Sequence, residues 1–214
     1  MVWRSQFVPL ILFIVLAFSG QLRAELIFQP ESVTTSPGST PNQIDNLRNQ
    51  SGLATPYQSG VTNFDSYVAT TTGGVNNGRS PNGGVNNGPP AQFNFRFSDV
   101  IIADRIALWS ANGISTVVDF DLIGSLSGDF TDAQTIGSFT NTIFGANPLA
   151  NVFSFNEIKV RALRVQATSN VGFPAFTGFD EFATGGIAVP EPSSLTLLGI
   201  VGTLAMIGRQ RSKK

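Results

Sequence analysis

The chain has 214 residues, of which 13 are basic and 14 are acidic, and it contains neither cysteine nor histidine. Without these two residue types it can form no disulfide, no thiol or imidazole catalytic group and no ordinary zinc site. Between its two ends, residues 25–188 keep seven basic and thirteen acidic side chains, and this net charge of −6 disfavours binding to nucleic acid.

The N-terminus has the layout of a secretory signal peptide over residues 1–24. Arg4 provides the positive start, residues 7–18 form an apolar stretch, and the small residue Ala24 precedes Glu25. We therefore expect export through the inner membrane, with cleavage between Ala24 and Glu25. An uncleaved N-terminal anchor is the alternative interpretation.

A glycine- and asparagine-rich segment interrupts the middle of the chain. The sequence GGVNNG at residues 73–78 returns at residues 83–88 and is followed by two prolines. Such a segment has little apolar surface to offset the entropy lost on ordering. We expect a surface loop at 73–90, with an Asn-Gly hairpin or a ligand-binding loop as alternatives.

The rest of the exported part predicts antiparallel β-strands. Residues 93–97 place three phenylalanines on one face and two polar residues on the other, and residues 118–122 and 160–167 alternate in the same way. A period of two indicates strands with one buried and one solvated face. No segment keeps a helical period for three turns, so the predicted fold class is an all-β sandwich or barrel.

Two pairs of carboxylates are candidates for catalysis. Asp119 and Asp121 share one face of a predicted strand, and paired carboxylates can flank a glycosidic bond. Solvated, outward-facing residues explain the pair equally well, and Asp129 and Asp132 lie in a predicted turn. We assign no catalytic residue and expect a protein that is not an enzyme; a glycan-acting hydrolase is the remote alternative.

The C-terminus, residues 189–214, combines three elements in a fixed order. Pro190, Glu191 and Pro192 form a non-helical triplet, and an apolar run of 13 residues, 195–207, follows it. The chain then ends in a basic stop-transfer segment with Arg209, Arg211, Lys213 and Lys214. The apolar run is shorter than the roughly 20 residues of a comfortable transmembrane helix.

This tail resembles the PEP-CTERM sorting domain of Gram-negative bacteria. The resemblance implies handling by an exosortase, a transient transmembrane sorting helix, and a destination in the cell envelope, at the cell surface or in the extracellular matrix. A plain C-terminal membrane anchor is the alternative.

A second resemblance covers about ninety residues of the exported part. Residues 101–109, the strand 161–167, the turn Ser-Asn-Val-Gly at 169–172 and the segment Gly-Phe-Asp-Glu-Phe at 178–182 resemble the closing strands of discoidin-type, galactose-binding-like domains. The resemblance implies an antiparallel jelly roll. It also implies a calcium ion between an early loop and the last strand, at the positions of Asp65 and Glu181; ordinary polar roles are the alternative for both residues.

These observations predict an exported, non-enzymatic protein that binds carbohydrate, in particular exopolysaccharide. Trp109, Tyr57 and Tyr67 are candidates for stacking on a sugar ring, although Trp109 equally suits a core position. The alternative is a purely structural biofilm or surface protein without a discrete ligand.

Overall fold

A computed structural model describes residues 25–36, 44–73, 83–85, 90–110, 116–145, 147–172 and 177–189. The predicted signal peptide and the tail beyond Val189 lie outside these ranges. Within them, no helix is both long enough and apolar enough to cross a membrane.

The described chain is built almost entirely from strands. A 3₁₀ turn, Ile44–Leu47, and a five-residue helix α1, Phe64–Val68, are the helical elements among the described residues. The strands are β1 Leu26–Phe28, β2 Ser32–Ser36, β3 Gly83–Val85, β4 Ala91–Trp109, β5 Asp119–Ser125, β6 Gln134–Thr140, β7 Asn151–Ala167, β8 Thr177–Phe179 and β9 Glu181–Ala188.

The long strand β4 organises the fold because it changes partner along its length. Residues 92–96 of β4 pair with β2, whereas residues 101–109 pair with β9, and the register shifts between Arg96 and Ile101. Irregularities of this kind let one strand serve both layers of a sandwich. The sheet runs β1-β9-β4-β7-β5-β6, and β3 and β8 form a separate antiparallel pair.

Phenylalanine rings fill the main core. Phe93, Phe95, Phe179 and Phe182 are fully buried, and the rings of Phe95 and Phe182 stack with centroids 3.9 Å apart. The alternating segments at 93–97, 118–122 and 160–167 lie in or at the edge of β4, β5 and β7, as predicted. Their apolar faces point inward because burying each large apolar side chain contributes about 1.5–3 kcal/mol to the stability of the folded state.

A second, smaller core lies at one end of β4. Tyr57 and Tyr67 pack edge-to-face at 5.4 Å, and Tyr67 packs on Trp109 at 6.1 Å. The Trp109 indole N–H donates to the Thr71 carbonyl at 2.9 Å. A Cβ atom on Gly73 would lie 2.8 Å from the Cβ of Trp109, so this position requires glycine.

The glycine-rich segment needs a correction within its described part. Gly83–Val85 forms strand β3, which pairs with β8 in the register Gly83 to Phe179. The loop predicted at 73–90 is therefore wrong for these three residues, and Gly73 packs on Trp109. The remainder, residues 74–82 and 86–89, lies outside the described ranges. Composition misled here because pairing with a distant strand supplies stability that glycine does not provide locally.

Candidate functional site

The most unusual polar group of the described chain is Glu181, the first residue of β9. Its side chain is fully buried, and neither carboxylate oxygen has a hydrogen-bond partner within the described ranges. Glu181 pairs across the sheet with Trp109. A buried carboxylate in this state is costly unless it is protonated or meets a cation.

The surroundings of Glu181 explain its electrostatics. The pKa of Glu181 is raised to about 9, mainly by burial and to a smaller extent by the neighbouring Asp180. The backbone amide groups of Gln50 and Phe182 lower the pKa, although they do not form hydrogen bonds of good geometry, and the charge of Arg48 lowers it to a smaller extent. Burial also raises the pKa of Asp180, to about 6.

The loop beside Glu181 is held in an unusual conformation. Gln50 has a positive φ of 64°, which is uncommon for a residue other than glycine. Its side-chain oxygen accepts a hydrogen bond from the Tyr57 backbone N–H at 2.7 Å, and its amide nitrogen donates to Gln29 at 3.1 Å. Tyr57 lies close enough for the Glu181 charge to raise its pKa, after burial as the larger cause. The loop at Gln50 and the buried Glu181 carboxylate therefore form one site.

The other predicted metal ligand, Asp65, lies in a different ionic cluster. Asp65 is on α1, and its side chain is 67% exposed. Arg105 forms ion pairs with Asp65 at 2.7 Å, with Glu25 at 2.6 Å and with Asp104 at 3.2 Å. Asp65 is thus ion-paired with a guanidinium group that it shares with two other carboxylates.

The structure does not bring Asp65 and Glu181 together. Arg105, which holds Asp65, pairs with Gly185, whereas Glu181 pairs with Trp109 four positions further along β4. Four residues of a strand span about 13 Å. The ionic cluster of Asp65 and the buried site of Glu181 are therefore separate, and a calcium ion shared by these two residues does not fit this arrangement. Sequence spacing could not show this because Arg105 is forty positions from Asp65.

Glu25, the residue after the predicted cleavage site, belongs to the Arg105 cluster. Its pKa is raised to about 7, mainly by burial and then by Asp104, although Arg105 opposes the shift. Sequence reasoning missed Arg105 and the carboxylates Glu25 and Asp104 that it gathers. The only local signal was the adjacent pair Asp104-Arg105 within the otherwise apolar run of residues 100–109.

The three aromatic residues considered for sugar stacking are buried. Trp109 has no exposed surface, and Tyr57 and Tyr67 are each 7% exposed. The core alternative is therefore correct for Trp109. The expectation that Tyr57 or Tyr67 presents a ring to a sugar is wrong, because these two rings pack on each other and on Trp109.

The carboxylates of β5 and of the following turn are bound by hydroxyl groups. Asp119 accepts hydrogen bonds from Thr140 at 2.8 Å and from Ser169 at 2.6 Å, and Asp121 accepts one from Ser138 at 2.5 Å. The bond from Ser169 is the largest cause of the lowered pKa of Asp119.

Asp129 and Asp132 lie in the turn between β5 and β6, as predicted. Asp132 accepts the backbone N–H groups of Leu126 and Ser127, and Asp129 accepts the N–H of Thr131. These contacts assign both residues a role in closing the turn. Among the described residues, no group of three or more acidic side chains is placed to hold a metal ion.

Comparison with known proteins supports both resemblances. Residues 188–212 match the model of the PEP-CTERM protein-sorting motif. The chain therefore carries this motif, which indicates export in Gram-negative bacteria. No curated protein matches the chain in sequence.

The fold is similar to that of carbohydrate-binding modules of family 32, which are non-catalytic domains. Truncated AlyQ with its CBM32 and alginate lyase domains shares 15% identity and a TM-score of 0.50, over 78% of this chain and 35% of that chain. The CBM32 of AlyQ in complex with 4,5-unsaturated mannuronic acid shares 16% identity and a TM-score of 0.49, over 74% and 96%. The family 32 module of NanJ from Clostridium perfringens, in complex with galactose, shares 14% identity and a TM-score of 0.45, over 75% of this chain and 98% of that chain. The predicted antiparallel, galactose-binding-like sandwich is confirmed.

Proposed function

We propose that this protein is an exported, non-catalytic carbohydrate-binding protein associated with exopolysaccharide in the cell envelope or extracellular matrix. One observation supports this most directly: the same chain joins a PEP-CTERM motif to a sandwich similar to the CBM32-bearing AlyQ structure. The motif supports an exosortase as the partner in sorting, and we propose Pro190, Glu191 and Pro192 as the recognised triplet.

A glycan array probed with the purified full-length chain tests this function. We expect binding to a restricted set of glycans, retained in the presence of calcium and lost when the protein is thermally unfolded. Uniformly negative arrays, with and without calcium, would contradict a carbohydrate-binding role.

A purely structural role is the second candidate, and a specific observation favours it. Tyr57, Tyr67 and Trp109, the aromatic residues that we considered for sugar stacking, lie in the core. Negative arrays together with altered matrix cohesion in cells lacking the protein would support this role.

A calcium ion at Glu181 is part of the proposal. Two buried carboxylate oxygens without hydrogen-bond partners fit a cation ligand, and calcium accepts many backbone carbonyl oxygens besides a carboxylate. The ion would stabilise the strained loop at Gln50 against β9. Asp65 is not included, because Arg105 already binds it.

A further inference from the structure

A groove crosses the outer surface of β2, β4 and β7, away from Glu181. Two rows of paired residues on β7, β4 and β2 form its floor. The first row is Arg164, Asn94 and Thr34, and the second is Ala162, Arg96 and Ser32. The turn between β5 and β6 forms one wall with Gly128, Asp129 and Phe130. Its volume is about 280 Å³. We call it the arginine groove.

The short side chains in this surface create the depression. Ala162 lies on the same face as Arg96 and Arg164, because paired residues on neighbouring strands share a face. Ser32 and Thr34 continue the low surface on β2. The two long arginines therefore flank a hollow.

The arginines of the groove lack carboxylate partners within the described ranges. Arg48 and Arg105 form ion pairs with acidic residues, whereas neither Arg96 nor Arg164 does. The Arg164 Nε donates to the Asn94 side-chain oxygen at 2.6 Å, and Asn94 donates to Thr34 at 3.4 Å. This chain of bonds orients the Arg164 guanidinium. Lys159 and Arg161 also form no ion pair within these ranges, but Arg96 and Arg164 are the two such cations that line the same groove.

The wall of the groove contains a strained residue. Phe130 has a φ of 64°, an unfavourable value for a bulky side chain, and Gly128 has a φ of 81°. This turn places the Phe130 ring 4.1 Å from the Arg164 guanidinium carbon, in cation–π contact. Phe130 is not part of the buried core. The strained conformation thus serves to cover and fix Arg164.

We propose that the arginine groove binds an anionic sugar unit of an acidic polysaccharide. Guanidinium groups suit carboxylate and sulfate oxygens, and hydroxyl and amide groups of Ser32, Thr34 and Asn94 suit sugar hydroxyls. Asp129 adds one carboxylate to the wall, and its Oδ1 already accepts hydrogen bonds from Ser127 and Thr131. The two arginines and this carboxylate give the groove a net positive charge. The proposal rests on the proposed carbohydrate-binding function and adds the charge class of the ligand.

Titration of the purified full-length chain with polygalacturonate, dextran sulfate and neutral dextran tests the proposal. We expect binding to at least one of the two anionic polymers, weakening as salt is raised, and none to dextran. Arg96→Gln and Arg164→Gln should each lower the affinity about tenfold or more, as expected on loss of a hydrogen bond to a charged group. The two anionic polymers distinguish a carboxylate from a sulfate as the bound group.

Lys159→Gln is the matched control, because this exposed cation lies on the same strand β7 outside the groove. It removes one positive charge and should change the affinity less than twofold. Arg96 is exposed, so its variant should keep the melting temperature of the parent protein. Anionic binding that falls equally in all three variants, or that is absent, would overturn the proposal. Binding to neutral glycans on the array would then leave the proposed function standing.

Discussion

At the scale of single residues, Glu181 and Asp65 show how burial separates two carboxylates of the same predicted role. Glu181 is fully buried beside Trp109, whereas Asp65 is exposed and paired with Arg105. The sequence identified both as acidic residues in suitable segments. Only the fold decides which of them needs a compensating cation.

Calcium should stabilise the protein through Glu181. We expect the free energy of unfolding to rise by about 2.7 kcal/mol at a hundredfold excess of calcium over its Kd, and chelation to reverse the gain. Glu181→Gln should abolish the response, and Asp65→Asn should retain it as the matched control. Thermal melting with calcium or chelator measures both. A response that survives in the Glu181 variant would place the ion elsewhere.

The calcium-free protein should lose stability as pH rises. The pKa of Glu181 is about 9 in the folded protein, above its ordinary value of 4.5, so the folded state holds a proton that the unfolded state releases. The stabilising effect is complete below about pH 4.5 and disappears as pH passes 9. Asp180 and Glu25, with pKa values of about 6 and 7, act in the same direction at lower pH.

Denaturant unfolding between pH 7.5 and 8.5 reports mainly on Glu181, because Asp180 and Glu25 are largely ionised in this range. We expect a loss of about 1.4 kcal/mol per pH unit for one retained proton. Glu181→Gln should flatten the dependence, because its amide does not titrate. A parent protein whose stability is constant over this range would show that Glu181 is ionised at neutral pH.

At the scale of elements, strand β3 shows how a glycine-rich segment is stabilised by a partner that is distant in sequence. Gly83–Val85 pairs with β8, whose Phe179 is fully buried. Strand β3 gains its stability from this partner, which lies more than ninety positions away in the chain.

Proline substitution tests strand β3. Successive N–H groups of a strand point in opposite directions, so either Gly83→Pro or Gly84→Pro must remove a hydrogen bond to β8. We expect one of them to cost about 1–3 kcal/mol and the other clearly less. The position whose N–H points away from β8 serves as the internal control. Small costs at both positions would mean that β3 does not depend on pairing with β8.

At the scale of the whole molecule, the β-sandwich lies between two predicted targeting segments. We expect the predicted signal peptide to direct export and the PEP-CTERM motif at 188–212 to direct later sorting. Strand β9 ends at Ala188, so the motif begins where the sandwich ends. The domain can therefore fold before the tail is processed.

Sorting should depend on the triplet and not on the domain. Glu191→Ala, or deletion of residues 190–214, should leave export intact and change the distribution between envelope and medium in a host with an exosortase. Fractionation and immunoblotting measure this distribution. Glu181→Gln is the control, since it changes the domain and leaves the tail intact. An unchanged distribution of the Glu191 variant would contradict the role of the triplet.

The sequence by itself determined the features that depend on neighbouring residues. Period-two alternation gave the strands around Phe95, Phe120 and Leu163, because a side chain's face in a strand depends only on its parity. The order of triplet, apolar run and basic end identified the tail, and the absence of cysteine and histidine excluded whole classes of chemistry.

Only the tertiary structure decided the features that depend on distant residues. It buried Tyr57 and Tyr67 against Trp109 and separated Asp65 from Glu181. It also placed Arg96 and Arg164 on one face of the sheet, with the ring of Phe130 over the Arg164 guanidinium. These arrangements follow from strand order and register across the sheet. Burial and charge pairing are properties of that register, because strands far apart in the chain set which side chains meet and which lose contact with water.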